Sequence, residues 1–229
     1  MTWFVDRADA GRQLAARLAP YRGSDAVVLA LPRGGVPVAA AIAAALEAPL
    51  DLVLVRKIGV PGQPELAMGA LAGGRDPIIF RNEDIIRLAG ISQAEFDAVK
   101  RAELGEINRR RQLYLGDRPE ADLAGRTAIL VDDGVATGAT AIAALRAVRQ
   151  RRPASLVLAA PVLAVEAIRL LEGEADTIVY LTAPTTLNGI GSFYSDFGQV
   201  SDEEVVSILA RFPFKAPSGQ GPHLSHRPN

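Results

Sequence analysis

The chain contains no cysteine, and its only two histidines, His223 and His226, sit near its C-terminal end. Disulfides, thiolate metal sites and a cysteine nucleophile are therefore excluded, and a reducing cytoplasm is the compartment that such a composition fits. A histidine-based metal site or Ser-His-Asp triad in the body of the chain is disfavoured for the same reason. Aromatic residues amount to 5%, with a single tryptophan. The formal net charge is −1, so no global field attracts nucleic acid or an anionic membrane. The N-terminus lacks the basic start and apolar core of a signal peptide, and no apolar run is long enough to span a bilayer. What remains is an ordinary globular composition, 49% hydrophobic and 22% charged over 229 residues.

Apolar runs alternate with amphipathic stretches. Strands are expected at 26–31, 50–55, 127–131, 156–162 and 177–181, with helices at 6–18, 36–46, 92–114, 141–149, 164–171 and 201–209. Ser92 with Glu95, and Ser201 with Glu204, have the spacing of helix N-terminal caps. Residues 67–80 suggest a hairpin turning near Gly74-Arg75-Asp76. Residues 56–66 carry Gly59, Pro61, Gly62 and Pro64 and are expected to form a mobile loop. The alternation predicts an α/β fold with a doubly wound, mostly parallel sheet, whose ligands bind beyond the carboxyl ends of its strands. Residues 1–212 are expected to form one such unit, and 213–229, rich in Pro, Gly, Ser and His, a poorly ordered tail.

The most informative string is Ala128-Ile129-Leu130-Val131-Asp132-Asp133-Gly134-Val135-Ala136-Thr137-Gly138-Ala139-Thr140. It puts two carboxylates at the end of a buried strand and a set of backbone N–H groups at the following helix N-terminus. Carboxylates accept hydrogen bonds from sugar hydroxyls, and a helix N-terminus holds phosphate. A plain strand–turn–helix connection needs one capping acid, whereas this one has two acids, two threonines and two glycines. Neither a Gly-x-x-x-x-Gly-Lys-[Ser/Thr] loop nor a dinucleotide fingerprint after an early strand is present.

This string resembles the phosphoribosyl pyrophosphate (PRPP) motif of the type I phosphoribosyltransferases. The resemblance implies that Asp132 and Asp133 bind ribose, that Ala136, Thr137, Gly138, Ala139 and Thr140 hold the 5′-phosphate, and that Gly134 belongs to the same PRPP site. It implies the family fold, with a hood built from about 81–125 and 184–210. It also makes Pro32-Arg33-Gly34-Gly35 a pyrophosphate loop. There Arg33 pairs with phosphate oxygens, and Gly34 and Gly35 let the backbone approach. Taken alone, that string is equally a strand-to-helix turn. Arg56 and Lys57, followed by the segment to Leu66, become a catalytic flap that closes over pyrophosphate, although adjacent cations at a strand end are commonly a solvated terminus. Glu65 has no assigned part.

The segments Leu31–Ala39, Val55–Gly59, Glu65–Ala70, Val131–Thr140 and Tyr194–Phe197 have the look of a bacterial and archaeal group of predicted phosphoribosyltransferases, over about residues 1–210. Phe193 departs from the tryptophan expected there, and Leu187-Asn188-Gly189 replaces an aromatic-led stretch. Phe193 and Tyr194 are candidates for a wall that stacks on a flat acceptor, or for plain packing. The implied activity is transfer of ribose 5-phosphate from PRPP to a nitrogenous acceptor such as a nucleobase, as in purine and pyrimidine salvage. Mg²⁺ is the implied cofactor, carried by PRPP and water with no direct protein ligand, and a homodimer is common among such relatives. Two other readings stand beside it: a catalytically silent PRPP-sensing regulator on the same fold, and a structural role. The intact acid pair argues against the latter. Arg109-Arg110-Arg111 is balanced by Glu103, Glu106, Asp117 and Glu120 and is expected to be a solvated helix face rather than a nucleic-acid site.

Overall fold

The computed structural model describes residues 3–73 and 77–213. The expected hairpin turn at 74–76 and nearly all of the expected tail lie outside these residues. The chain runs α1 (Arg7–Arg17), β1 (Val27–Ala30), α2 (Gly35–Leu46), β2 (Leu50–Leu52), β3 (Leu54–Val60), β4 (Gln63–Gly73) and β5 (Ile78–Arg81). Then follow α3 (Glu83–Leu88), α4 (Gln93–Leu115), β6 (Thr127–Val131), α5 (Ala139–Gln150), β7 (Ser155–Val162), α6 (Val165–Leu171), β8 (Thr177–Thr182) and α7 (Asp202–Ala210).

Five strands form a parallel sheet in the order β2-β1-β6-β7-β8. Their side chains are apolar on both faces, as a parallel sheet covered on both sides requires; β1 and β7 are almost wholly buried. One face packs α1, α2, α4 and α7 through residues such as Leu14, Val36, Ile107 and Val205. The other packs α5 and α6 through Leu145, Val148 and Ala167. The chain leaves β1 toward β2 on one side and β6 toward β7 on the other. The switch point therefore lies between β1 and β6, where Ala30 is in register with Val131. In such sheets that crevice receives the ligand.

Two sequence expectations are corrected. The apolar run 50–55 is not one strand: it breaks at Val53, where the chain leaves the parallel sheet for a second, antiparallel one, β3-β4-β5. The segment 56–66 is a β-hairpin rather than a mobile loop. Its turn is Pro61-Gly62, with Gly62 at φ +78°, and register shifts at Ile58–Val60 absorb the irregular residues. The glycines and prolines that looked like loop signals are a turn and a bulge. This second sheet lies on α5, with Ala72 packed against Ala143 and Ala147. The small side chains of that helix let it approach closely.

The Ser92–Glu95 capping box forms at α4, and Ser201 accepts from Glu204 N at α7. On α4, Glu106 pairs with Arg109 and Arg110, whose hydrogen bonds push its carboxyl down to about 2. Arg111 differs from the solvated expectation, since its Nε and Nη2 are out of solvent.

Among the described residues, Asp51 is the charged side chain buried in the core, 1% exposed. Burial raises its pKa, opposed by two backbone donors. Oδ1 accepts from Leu52 N and Oδ2 from Ala121 N, both at 2.8 Å. It thus fastens the link after α4 to the sheet edge. Asp51→Ala would leave two backbone donors unpaired, and should destabilise the fold by about 2–4 kcal/mol. Urea unfolding checks this; an unchanged midpoint would contradict that tie.

Candidate active site

β6 ends at Val131, and the chain passes at once into Asp132 and Asp133. Asp132 N still bonds Ala159 O at 3.3 Å, and Val135 N bonds Val162 O at 2.9 Å, so the loop stays anchored to β7 on both sides. Gly138 then adopts φ +81°, a left-handed turn that a side chain would strain, and caps α5. Ala136, Thr137, Ala139 and Thr140 are exposed around it. A cavity of about 190 Å³ is lined by Asp132, Gly134, Thr137, Gly138 and Thr140 among others. A carboxyl, two hydroxyls and the positive end of a helix twelve residues long thus face one small space.

The β1–α2 turn lies against these acids. The Pro32–Arg33 peptide is cis. A Cβ on Gly34 would fall 2.1 Å from Asp133 Oδ2, and one on Gly35 2.7 Å from Val131 O. Both glycines are required by close approach of the turn to the acid pair. The sequence expectation placed them near phosphate, and the structure shows a nearer neighbour.

Asp133 is also held by a residue that carried no signal in the sequence. Arg7 Nε donates to Asp133 Oδ2 at 2.7 Å, and Tyr194 Oη donates to Asp133 O at 2.6 Å. Burial, and then the neighbouring Asp133 carboxylate, push the Asp132 carboxyl well above the usual range, opposed first by the Asp133 backbone N–H at 2.9 Å and then, more weakly, by the Arg7 guanidinium. Arg7 begins an unremarkable amphipathic helix 126 residues before Asp133, so no local spacing announces it.

The cations expected near pyrophosphate face elsewhere. Arg33 lies 3.6 Å from Asp202 Oδ1, the oxygen that Tyr114 Oη also donates to at 2.6 Å. Burial and this bond push the Tyr114 phenol up to about 12. Arg56 pairs with Glu103 of α4 at 2.6 Å, and Lys57 with Glu65 at 3.0 Å. These last four residues line a separate cavity of about 460 Å³ beside the hairpin turn. The structure therefore brings Asp132, Asp133, Gly34 and Gly35 together with the Thr137–Thr140 loop, and places Arg56 and Lys57 in a different cavity.

The Tyr194 expectation is corrected. Its ring is 4% exposed, with Phe4 at 5.3 Å and Phe197 at 4.9 Å between centroids. Packed on both sides, it has no free face for an acceptor to stack on. Phe193 is half-buried in the same aromatic cluster.

Residues 6–182 match the model of the phosphoribosyl transferase domain. The chain belongs to that family. Two curated Mycobacterium tuberculosis proteins, from strains H37Rv and CDC 1551 and each named "Putative phosphoribosyl transferase", are 47% identical over 92% of this chain. The chain spans about half their length, 47%. The crystal structure of TT1426 from Thermus thermophilus is similar at a TM-score of 0.80 and 41% identity. It covers 93% of this chain and 100% of its own. Asp132 with the cavity at the start of α5, and Asp133 with the Gly34–Gly35 turn, lie at the β1–β6 switch point. No helix among the described residues is long and apolar enough to cross a membrane.

Gly34→Ala should therefore act on the acid pair. Displacing Asp133 costs about 1–3 kcal/mol of stability in a well-packed setting, and Tyr194→Phe, which loses one hydrogen bond, about 1 kcal/mol. Thermal melts of both variants measure this. A Gly34→Ala variant as stable as its parent would mean that the turn is free to move away.

Proposed function

We propose that this chain transfers ribose 5-phosphate from PRPP to a nitrogenous acceptor, a nucleobase being the first candidate, and releases pyrophosphate. The observation that carries this reading is the shared cavity of Asp132, Thr137, Gly138 and Thr140 at the N-terminus of α5. The 5′-phosphate accepts from the backbone N–H groups of 136–140 and from the two threonine hydroxyls. Asp132 and Asp133 accept from the ribose hydroxyls, which fixes the ring beside the strand ends.

As the glycosidic bond breaks, positive charge grows on the sugar and negative charge on pyrophosphate. The two carboxylates favour the first, and Arg33 of the β1–α2 turn, on exchanging Asp202 for pyrophosphate oxygens, the second. The acid pair's carboxylate oxygens would meet a PRPP-borne Mg²⁺ only through hydrogen bonds from its water ligands, PRPP and water supplying the ligands themselves. Bound this way, Mg²⁺ supplies positive charge to the leaving group. Arg56 and Lys57 act from the β3–β4 hairpin. To reach pyrophosphate they exchange Glu103 and Glu65 for its oxygens, and the hairpin then excludes water that would hydrolyse the sugar cation. The hood, from 81–125 and 184–210, holds the acceptor.

Pyrophosphate release from PRPP and Mg²⁺ across a panel of bases is the direct assay. Turnover with at least one base is expected. PRPP binding without turnover on any base would favour the regulator, and absence of both would sink the reading. Thr137→Val with Thr140→Val should weaken PRPP binding at least tenfold, since each removes a hydrogen bond to a charged group; unchanged affinity on calorimetry would remove the phosphate loop from the account.

Asp132 adds a pH test. It accepts from sugar hydroxyls best when ionised, and its pKa is raised. PRPP affinity should therefore fall as pH drops through a midpoint above the ordinary aspartate value of about 3.9. A raised folded pKa means that the contribution of Asp132 to stability is present at low pH and lost as pH rises through that midpoint. Asp132→Asn should then lose PRPP binding yet unfold at least as late as the parent at neutral pH. A variant that keeps its affinity, or that unfolds earlier, would contradict this assignment.

A further inference from the structure

The acid pair has a partner at the far end of the chain. The Arg7 side chain is 11% exposed and that of Asp133 15%. Besides its bond to Asp133, Arg7 donates from Nη1 to Gly198 O at 2.7 Å, and its guanidinium lies 3.8 Å from the centroid of the Phe197 ring. Three contacts from two segments, the loop after β6 and residues 197–198, fix one planar cation. Phe4 and Trp3 N–H groups bond Phe193 O at 3.0 Å, and Ser195 N bonds Phe4 O at 2.8 Å. The N-terminal segment and the 193–198 segment therefore reach the acids as one unit.

We propose that Arg7 is a positioning residue of the sugar site, which fixes the Asp133 carboxylate against Gly34 and places a positive charge beside the two adjacent loop acids. This rests on the reading of Asp132 and Asp133 as the ribose-binding pair. Two carboxylates on adjacent residues repel, and each makes the other harder to ionise. Of the charged groups facing the pair, Arg7 on α1 lowers the Asp132 pKa. Tyr194, from the 193–198 segment, has its own ionisation pushed up by burial and then by Asp133, so it stays a neutral donor. The β1–α2 turn presents backbone at Gly34 and Gly35. On its outer side Arg7 borders a cavity of about 250 Å³ with Asp6, Asp196 and Glu204. Phe197 sets the plane of the guanidinium, so that Nε rather than a terminal nitrogen meets Oδ2. A lysine can supply the charge there, but neither the plane nor the second bond.

The test is PRPP affinity by calorimetry from pH 5 to 9 for Arg7→Met, Arg7→Lys, Asp133→Asn and the Arg7→Met/Asp133→Asn double variant. Arg7→Met should weaken binding about tenfold or more, the scale of one hydrogen bond to a charged group. It should also move the acid limb of the affinity profile to higher pH. Arg7→Lys should recover part of both effects. In the Asp133→Asn background, loss of Arg7 should add little, because the two act as one unit. Additive losses, or an acid limb that stays in place, overturn the proposal. Should Arg7→Met not fold, the Arg7→Lys and Arg7→Lys/Asp133→Asn pair carries the same comparison. Asp132→Asn separates the two layers. If it binds PRPP like the parent, the sugar site itself is misread. If it loses binding while the Arg7 variants keep theirs and the acid limb, the Arg7 proposal alone fails.

Discussion

Two carboxylates that follow one another at the end of a buried strand repel, and the protein is arranged around keeping them there. Asp132 lies beside the cavity at the start of α5, with its ionisation opposed by burial and by its neighbour. Asp133 turns the other way, into a setting made by Arg7, the Tyr194 hydroxyl and the bare backbone of Gly34. Each of these comes from a different part of the chain: the first helix, the segment after β8, and the β1–α2 turn. The parallel sheet brings the turn and the acids together by setting β1 beside β6.

The consequence runs outward through the packing. The 193–198 segment pairs with the residues before α1, and Tyr194 sits between Phe4 and Phe197 beneath the acids. Aromatics that might have formed a stacking wall instead underpin the loop. The antiparallel sheet does the complementary work on the other side, lying on α5 through alanines and carrying Arg56 and Lys57 on a hairpin. Those two cations, with Arg33, are each matched by a carboxylate, namely Glu103, Glu65 and Asp202. These pairs are partly exposed and individually weak.

Much of this was legible in the sequence where local rules govern. β6, its terminal acids, the Gly138 turn and α5 are consecutive residues, and each step follows from burial periodicity or backbone chemistry. The Ser92–Glu95 and Ser201–Glu204 caps formed for the same reason. The misread places are those where distant segments decide. Pro61, Gly62 and Gly59 signal a break whether the flanking residues pair or not; only β5 and α5, which give β4 a second partner and a floor, make the segment a sheet. Asn82 caps the short helix α3, which has too few turns to show a period. Tyr194 looked available because its cover, Phe4, stands 190 residues earlier. Arg7 carried no signal at all, since an arginine at a helix start is ordinary until the fold places it against Asp133.

The central claim is that the Asp132–Thr140 loop grips a phosphorylated sugar, carboxylates at one end and helix N-terminus at the other. The most direct measurement is a crystal structure of the protein soaked with ribose 5-phosphate and pyrophosphate. The account predicts the 5′-phosphate in the cavity bounded by Thr137, Gly138 and Thr140, with the ribose hydroxyls in hydrogen-bond range of the Asp132 and Asp133 carboxylates. A sugar phosphate bound elsewhere, or one whose hydroxyls face away from both acids, would contradict it.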